Sequence, residues 1–395
     1  MTDDQSPFTI PPEFARDAAR RLLADLVAIP SHGANEGPIL EYLVARFRRQ
    51  TIPCRITEVN GAPMNVVAEV GQGARAIILN SHVDTVPPGD RALWHTDPMI
   101  PTEKDGHIYG RGAGDAKGCL AAMIVAFEAL AARRERLPVR VVLMAVGGEE
   151  RGGIGTKTEI ANGMRADAAI VGESTLLEPK LAHKGVLRLE VEVKGKAAHA
   201  SDPEAGVNAV VAMAPVIAAL DRLAAEVRSR QERHTGRASL VISTITGGVA
   251  LNVIPASCVI SIDRRVLPTE TEDRAKEEIV RTVTAALPAG AGATVEVRTV
   301  RFVAPSATPE NASIVRAAEQ AASELLGRPV RASGFTATCD MTYLVNGGRI
   351  PSIILGPDSI ALAHQADERM SIDEMTRAVA LYLRTVEIWA ADHGI

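Results

Sequence analysis

A chain of 395 residues that is 46% hydrophobic can bury a large core and is long enough for two domains. Its net charge of -5, with no basic block interleaved with aromatics, excludes nucleic acid as the expected partner. No stretch approaches the roughly 18 apolar residues of a membrane span, and "MTDDQSPFTIPPEF" lacks a signal peptide's basic and apolar regions, so a soluble, cytoplasmic chain with no membrane partner is expected.

The apolar residues of "FARDAARRLLADLVAI" and "EGPILEYLVARFRRQ" recur at three and four, which predicts two opening helices. "MNVVAEV" and "RAIILNSHVD" read as strands, "KGCLAAMIVAFEALAARRERL" as one long helix, and "PVRVVLMAVGGEE" and "DAAIVGES" as buried strands. This alternation predicts an α/β fold with a mixed, largely parallel sheet covered by helices. From about Leu187 the pattern changes, because "LRLEVEVKGKAAHA" alternates as a half-exposed antiparallel strand does. A helix, the strands "ASLVISTITGG" and "SCVISIDRRVLP", the helix "TEDRAKEEIVRTVTAAL" and the strand "ATVEVRTVRF" follow. In order this is β-α-β-β-α-β, an inserted α+β ferredoxin-like domain. The last segment resumes the first pattern, so a catalytic domain in two parts, 1–183 and 301–395, is expected around an insert at 184–300. Cys54, Cys119, Cys258 and Cys339 stand far apart without a C-x-x-C pair, which argues against a disulfide framework or a structural zinc knuckle and fits a reducing compartment.

Polar residues fall where these strands end. His82 and Asp84 close one strand, Asp115 sits in the Gly-rich turn "YGRGAGDAKG", Glu149 and Glu150 close another strand, Glu173 a third, and His364 follows "IILGPDSIALA". In an open parallel sheet the carboxyl ends of the strands share one rim, so these groups should converge. Two histidines and several carboxylates in one crevice repel unless neutralised, and a pair of divalent cations would resolve that. Nitrogen and oxygen donors without thiolate suit zinc, with cobalt and manganese as alternatives.

In order along the chain, "SHVDTVPPGD", "GRGAGDAKG", "GGEE", "GES", "KGKAAHAS", "NVIP", "DRRVLP" and "AHQADE" resemble the M20 family of dinuclear-zinc metallopeptidases and amidohydrolases. The C-terminal stretches "TATCDMTYL" and "GPDSIALAHQADERMSIDEM" are most similar to its acetylornithine deacetylase and succinyl-diaminopimelate desuccinylase branch. The resemblance implies a fold of the zinc-dependent exopeptidase type, whose insert serves as lid and dimerisation domain, closes over the site and makes a homodimer. It implies that Asp115 bridges two ions, that His82 and Glu173 complete one shell, and that Glu150 and His364 complete the other. Asp84 would accept the far imidazole proton of His82, and the bond Asp115-Ala116 would be cis. Glu149 would be the general base, taking a proton from a water activated between the ions. His199 would donate to the oxyanion, from its own chain or across a dimer, and Asn252 and Arg265 would hold the substrate's carboxylate, although "DRR" leaves Arg264 open as the one. The function expected is metal-dependent hydrolysis of the amide of a small N-acyl amino acid. A dipeptidase or carboxypeptidase acting on a short peptide, or a catalytically inactive scaffolding member, is the alternative.

"GRGAGDAKG" has a rival reading as a phosphate cradle. It fails because Asp115 occupies the place of the third glycine and Lys117 precedes Gly118 rather than Ser or Thr. His32, His95, His107, His234 and His393 read as solvated, His183 is undecided, and Cys119 and Cys339 read as small core residues.

Overall fold

The computed structural model describes residues 10–392 apart from Ala289 and Ala291. The chain divides into a first unit, Met1–Leu181 with Thr308–Ser333 and Cys339–Ile395, and a second, Ala182–Ala307 with Gly334–Thr338. In the first unit six strands pair in the order Cys54–Val59, Ala62–Val70, Arg140–Val146, Ala76–His82, Ala168–Val171, Ser352–Ile354. The first two pairings are antiparallel and the other three parallel, which makes the sheet mixed and largely parallel. Ala76–His82 is buried along its whole length, as a central parallel strand must be. The edge strand Cys54–Val59 was not foreseen, because "CRITEV" exposes most of one face and lacks the continuous apolar run of its neighbours.

Gly118–Ala131, "GCLAAMIVAFEALA", is apolar all round except at Glu128, which pairs with Arg46, and is buried accordingly. It packs on the strands Ala76–His82 and Arg140–Val146, while the helices Pro12–Ala28 and Ile372–Ala391 pack on it. It ends at Ala131 rather than running on through Leu137, because "RRER" offers no further apolar face. The chain ends of the parallel strands come level: His82 lies opposite Val146, and Asn80 opposite Val171. A small antiparallel sheet of Thr102–Lys104, His107–Tyr109 and Arg369–Ser371 then brings the C-terminal segment beside the turn that leads to Asp115.

In the second unit Ser239–Gly247, Ser257–Val266, Gly185–Lys194 and Thr294–Val303 pair in that order, all antiparallel, with the helices Ala209–Ser229 and Glu272–Ala286 packed against them. This is the split βαβ arrangement. Leu187, Leu189, Val191 and Val193 meet Met213, Val216, Leu220, Ile279 and Val283 in its core. The last of these strands runs to Val303, three residues past the expected end of the insert at 300.

His183 is fully buried, with Nδ1 donating to the Lys184 carbonyl (2.8 Å) and Nε2 without a partner among the described residues. Burial pushes it down to about 4, with only partial compensation from that hydrogen bond. The folded state therefore favours the neutral ring. Stability from this group is fully present above its unfolded value near 6.5 and is lost as pH falls toward 4, by up to about 3 kcal/mol. Denaturant unfolding between pH 7 and 4 should show a flatter stability curve for His183→Gln than for the wild type; parallel curves would refute this.

Candidate metal centre

Each candidate ligand arrives on its own element at the carboxyl rim of the sheet. His82 is the last residue of its strand, Glu149 and Glu150 follow Val146 after Gly147 and Gly148, and Glu173 follows Val171 after Gly172. Asp115 comes from the turn between Tyr109 and the helix Gly118–Ala131. That turn begins at Gly112, whose φ of +84° is left-handed and whose added Cβ would stand 2.4 Å from Thr85 Cγ2, so only glycine fits. The bond Asp115-Ala116 is cis.

Asp115 is shared. Its Oδ1 lies 3.1 Å from His82 Nε2, and its Oδ2 lies 3.1 Å from His364 Nε2. Glu173 Oε1 is 3.8 Å from His82 Nε2 on one side, and Glu150 Oε1 is 2.8 Å from His364 Nε2 on the other. Two donor sets result, His82–Asp115–Glu173 and Asp115–Glu150–His364, each with all its ligand atoms within 4.8 Å of one another. Imidazole nitrogens and carboxylate oxygens at this spacing, with no thiolate among them, fit divalent cations of the zinc, cobalt and manganese group.

Electrostatics makes the same demand. Burial alone would depress His82, yet the hydrogen bond to Asp115 and the charges of Glu173, Asp115 and Asp84 hold it well above its ordinary value. The hydrogen bonds of Asp115 and Glu150 push His364 up to about 10. Burial would raise Asp115, but its bonds to His364 and His82 hold it well below the usual carboxylate range. Glu149 is held well above that range by burial, with Asp340, Glu173 and Glu150 adding against the pull of His82. Glu173 is raised likewise, first by burial and then by Asp115. The crowding thus favours the charged form of the two histidines and the neutral form of Glu149 and Glu173. Divalent cations would offset the same carboxylates.

One expected role changes hands. His82 Nδ1 donates to the main-chain carbonyl of Asp84 (2.8 Å), whereas the Asp84 carboxylate stands 3.7 Å away. That carboxylate instead accepts the backbone N–H groups of Glu149 (3.1 Å) and Glu150 (3.2 Å). Asp84 therefore orients His82 through its backbone and the Glu149–Glu150 turn through its side chain. Alternation of residue types cannot distinguish the two oxygens, because both lie within reach of one imidazole.

Two buried carboxylates had no expected role. Asp340, in "TATCDMTYL", accepts from the Thr156 hydroxyl (2.6 Å), leaves Oδ1 without a partner among the described residues, and is pushed up to about 6 by burial. Glu368, in "AHQADE", accepts the backbone N–H groups of Gly114 (2.9 Å) and Asp115 (3.0 Å). The only sequence signal for either was its place inside a quoted motif. His95, read as solvated, is exposed but tied at Nδ1 to Asp367 (2.5 Å).

His199, Asn252 and Arg265 belong to the second unit. His199 is exposed, its Nδ1 lies 2.7 Å from Ser201 Oγ, and the segment 252–254 runs beside it through the bond from Ala200 N–H to the Asn252 carbonyl (3.0 Å). The strand Ser257–Val266 alternates strictly, which sends Arg264 inward with Ile260 and Ile262 and Arg265 to the other face. Arg264 is fully buried and paired with Glu270 (2.6 Å). Arg265 is half-buried and paired with Asp263 (2.9 Å) on the outer face.

Acetylornithine deacetylase from Edwardsiella ictaluri is 31% identical to this chain over 369 residues, 88% of this chain and 91% of that protein. Succinyl-diaminopimelate desuccinylase from Xylella fastidiosa is 28% identical over 383 residues, 94% of this chain and 98% of that one. An M20 family metallo-carboxypeptidase from Sulfolobus solfataricus shares the fold with a TM-score of 0.79 at 19% identity, over 94% of this chain and 99% of that one. A profile of the family matches residues 78–388, which include all five candidate ligands and Glu149. The chain therefore belongs to peptidase family M20/M25/M40 and is a metallo-amidohydrolase of linear amides.

Proposed function

We propose that this hydrolase cleaves the amide bond of a small N-acyl amino acid, in the manner of an acetylornithine deacetylase or succinyl-diaminopimelate desuccinylase. The observation that carries the proposal is the division of Asp115 between two donor sets, with Glu149 beside them. His82, Asp115 and Glu173 would hold one ion and Asp115, Glu150 and His364 the other, and zinc is the metal assigned, with cobalt and manganese acceptable to the same donors. Two cations bound there would polarise the amide carbonyl and acidify water.

Glu149 is assigned as general base. Glu149 and Glu150 share the turn that follows Arg140–Val146, and of the two only Glu150 belongs to a candidate donor set, so Glu150 is assigned as the ligand and Glu149 as the residue that faces the substrate. Its carboxylate takes a proton from the attacking water, whose oxygen joins the acyl carbon, and returns the proton to the nitrogen as the C–N bond breaks. With Nδ1 held by Ser201, His199 keeps Nε2 to donate to the developing oxyanion. Asn252 and the fork of Arg265 are assigned to the substrate's carboxylate. A homodimer through the second unit is proposed as well, because the edge strand Ser239–Gly247 has one unpaired side and exposes Val241 and Ile245.

Assaying N-acetyl, N-formyl and N-succinyl amino acids beside dipeptides tests the substrate class. Hydrolysis of the acyl amino acids should vanish on chelation and return with zinc or cobalt, whereas turnover confined to dipeptides would replace the deacylase reading with a dipeptidase. Glu149→Ala should lower kcat by about 10²–10⁴-fold with metal content unchanged, as loss of a general base does; undiminished kcat would exclude Glu149 from that role. Sedimentation at micromolar concentration should give a dimer, and a monomer throughout would remove the proposed interface.

A further inference from the structure

Glu368 is completely buried, yet neither candidate donor set includes it. One of its oxygens, Oε1, accepts both the Gly114 N–H (2.9 Å) and the Asp115 N–H (3.0 Å). The other pairs with Arg111, itself buried. The Arg111 guanidinium lies 5.1 Å from the centre of the Trp94 ring, and Arg111 Nη2 and Trp94 Nε1 both donate to the Pro88 carbonyl (3.4 and 2.9 Å). The backbone closes the same junction, since Gly110 N–H donates to the Glu368 carbonyl (2.9 Å) and Arg369–Ser371 pairs with His107–Tyr109.

From this arrangement we infer that Glu368, backed by Arg111, is a positioning residue that sets Asp115 for both cations at once. The inference rests on the two-cation reading above. Glu368 stands four residues after His364, so one carboxylate joins the loop of a terminal ligand to the backbone of the shared ligand. Its charge is neutralised by Arg111 and its oxygens are occupied by three donors, so it does not compete with Asp115 for a cation. A carboxylate accepting paired backbone N–H groups fixes direction as well as distance, because both bonds must stay near-linear. Asp84 grips the Glu149–Glu150 turn in the same way from the opposite chain segment. Each thus holds ligand-bearing backbone without itself touching a cation.

The test is titration of metal-free protein with cobalt(II), read by calorimetry and by the visible spectrum of the bound ion. Wild type, Glu368→Gln, Arg111→Met and a control, Glu159→Gln, are compared. Glu159 is also a buried carboxylate, but its partners are Arg55 and Asn65, neither of them a ligand. Both clamp variants should bind cobalt about 10–100-fold more weakly, as loss of groups that orient metal ligands does. Their cobalt spectrum should shift. Glu159→Gln should lower the thermal midpoint while leaving cobalt affinity and spectrum unchanged. Wild-type affinity and spectrum in either folded clamp variant would overturn the inference. Failure of the wild type to take up two ions would instead overturn the two-cation reading.

Discussion

The crowding of carboxylates at one end of a parallel sheet is the constraint on which the rest of this molecule depends. Asp115, Glu149, Glu150 and Glu173 converge on two histidines in a crevice that is partly dry, where like charges repel far more strongly than in water. Only counter-charge can relieve that. The same crowding holds His82 and His364 above their ordinary values and raises Glu149 and Glu173. Divalent cations supply that counter-charge, since each brings two charges to the point where the oxygens meet.

Such a crevice needs a frame that does not give way. The helix Gly118–Ala131 is apolar except at Glu128 and the strand Ala76–His82 behind it is buried along its whole length, and interiors of that kind transmit displacement rather than absorb it. Lys117 adds a buried tie, its ammonium donating to the Leu26 and Ile29 carbonyls (both 2.9 Å) at the end of the helix Pro12–Ala28. Between this frame and the ligands stand Asp84, whose two oxygens accept backbone N–H groups, and Glu368, which spends one oxygen on two backbone N–H groups and the other on Arg111. Acidic residues near a metal centre thus divide into those that face the cation and those that hold the chain. Hydrogen-bond partners, not residue type, decide which is which.

The second unit follows the same logic in apolar terms. Strict alternation along Ser257–Val266 sends every second residue into its core, and Arg264 goes with them at the cost of a buried pair with Glu270. Its neighbour Arg265 is left on the outer face by the same periodicity. A period of two therefore separates an arginine held in the core from one on the outer face.

Sequence alone determined the fold class, because long apolar runs alternating with helical periodicity admit few arrangements. It also gathered the candidate residues at one rim, because buried carboxylates and imidazoles at the ends of apolar strands need a partner, and the resemblance carried by the ordered motifs supplied the ligand set expected among them. Tertiary structure decided what depends on short distances between segments remote in the chain. It showed that the Asp84 carbonyl, and not its carboxylate, meets His82, since both oxygens lie within one residue's reach. It separated Arg264 from Arg265, adjacent in "DRR", by the face each takes. It gave Glu368 its place, because Gly114 and Asp115 lie some 250 residues upstream and no local pattern could pair them. The edge strand Cys54–Val59 belongs to the same class, since half-exposed pairing is specified by the neighbour rather than by the strand's own residues.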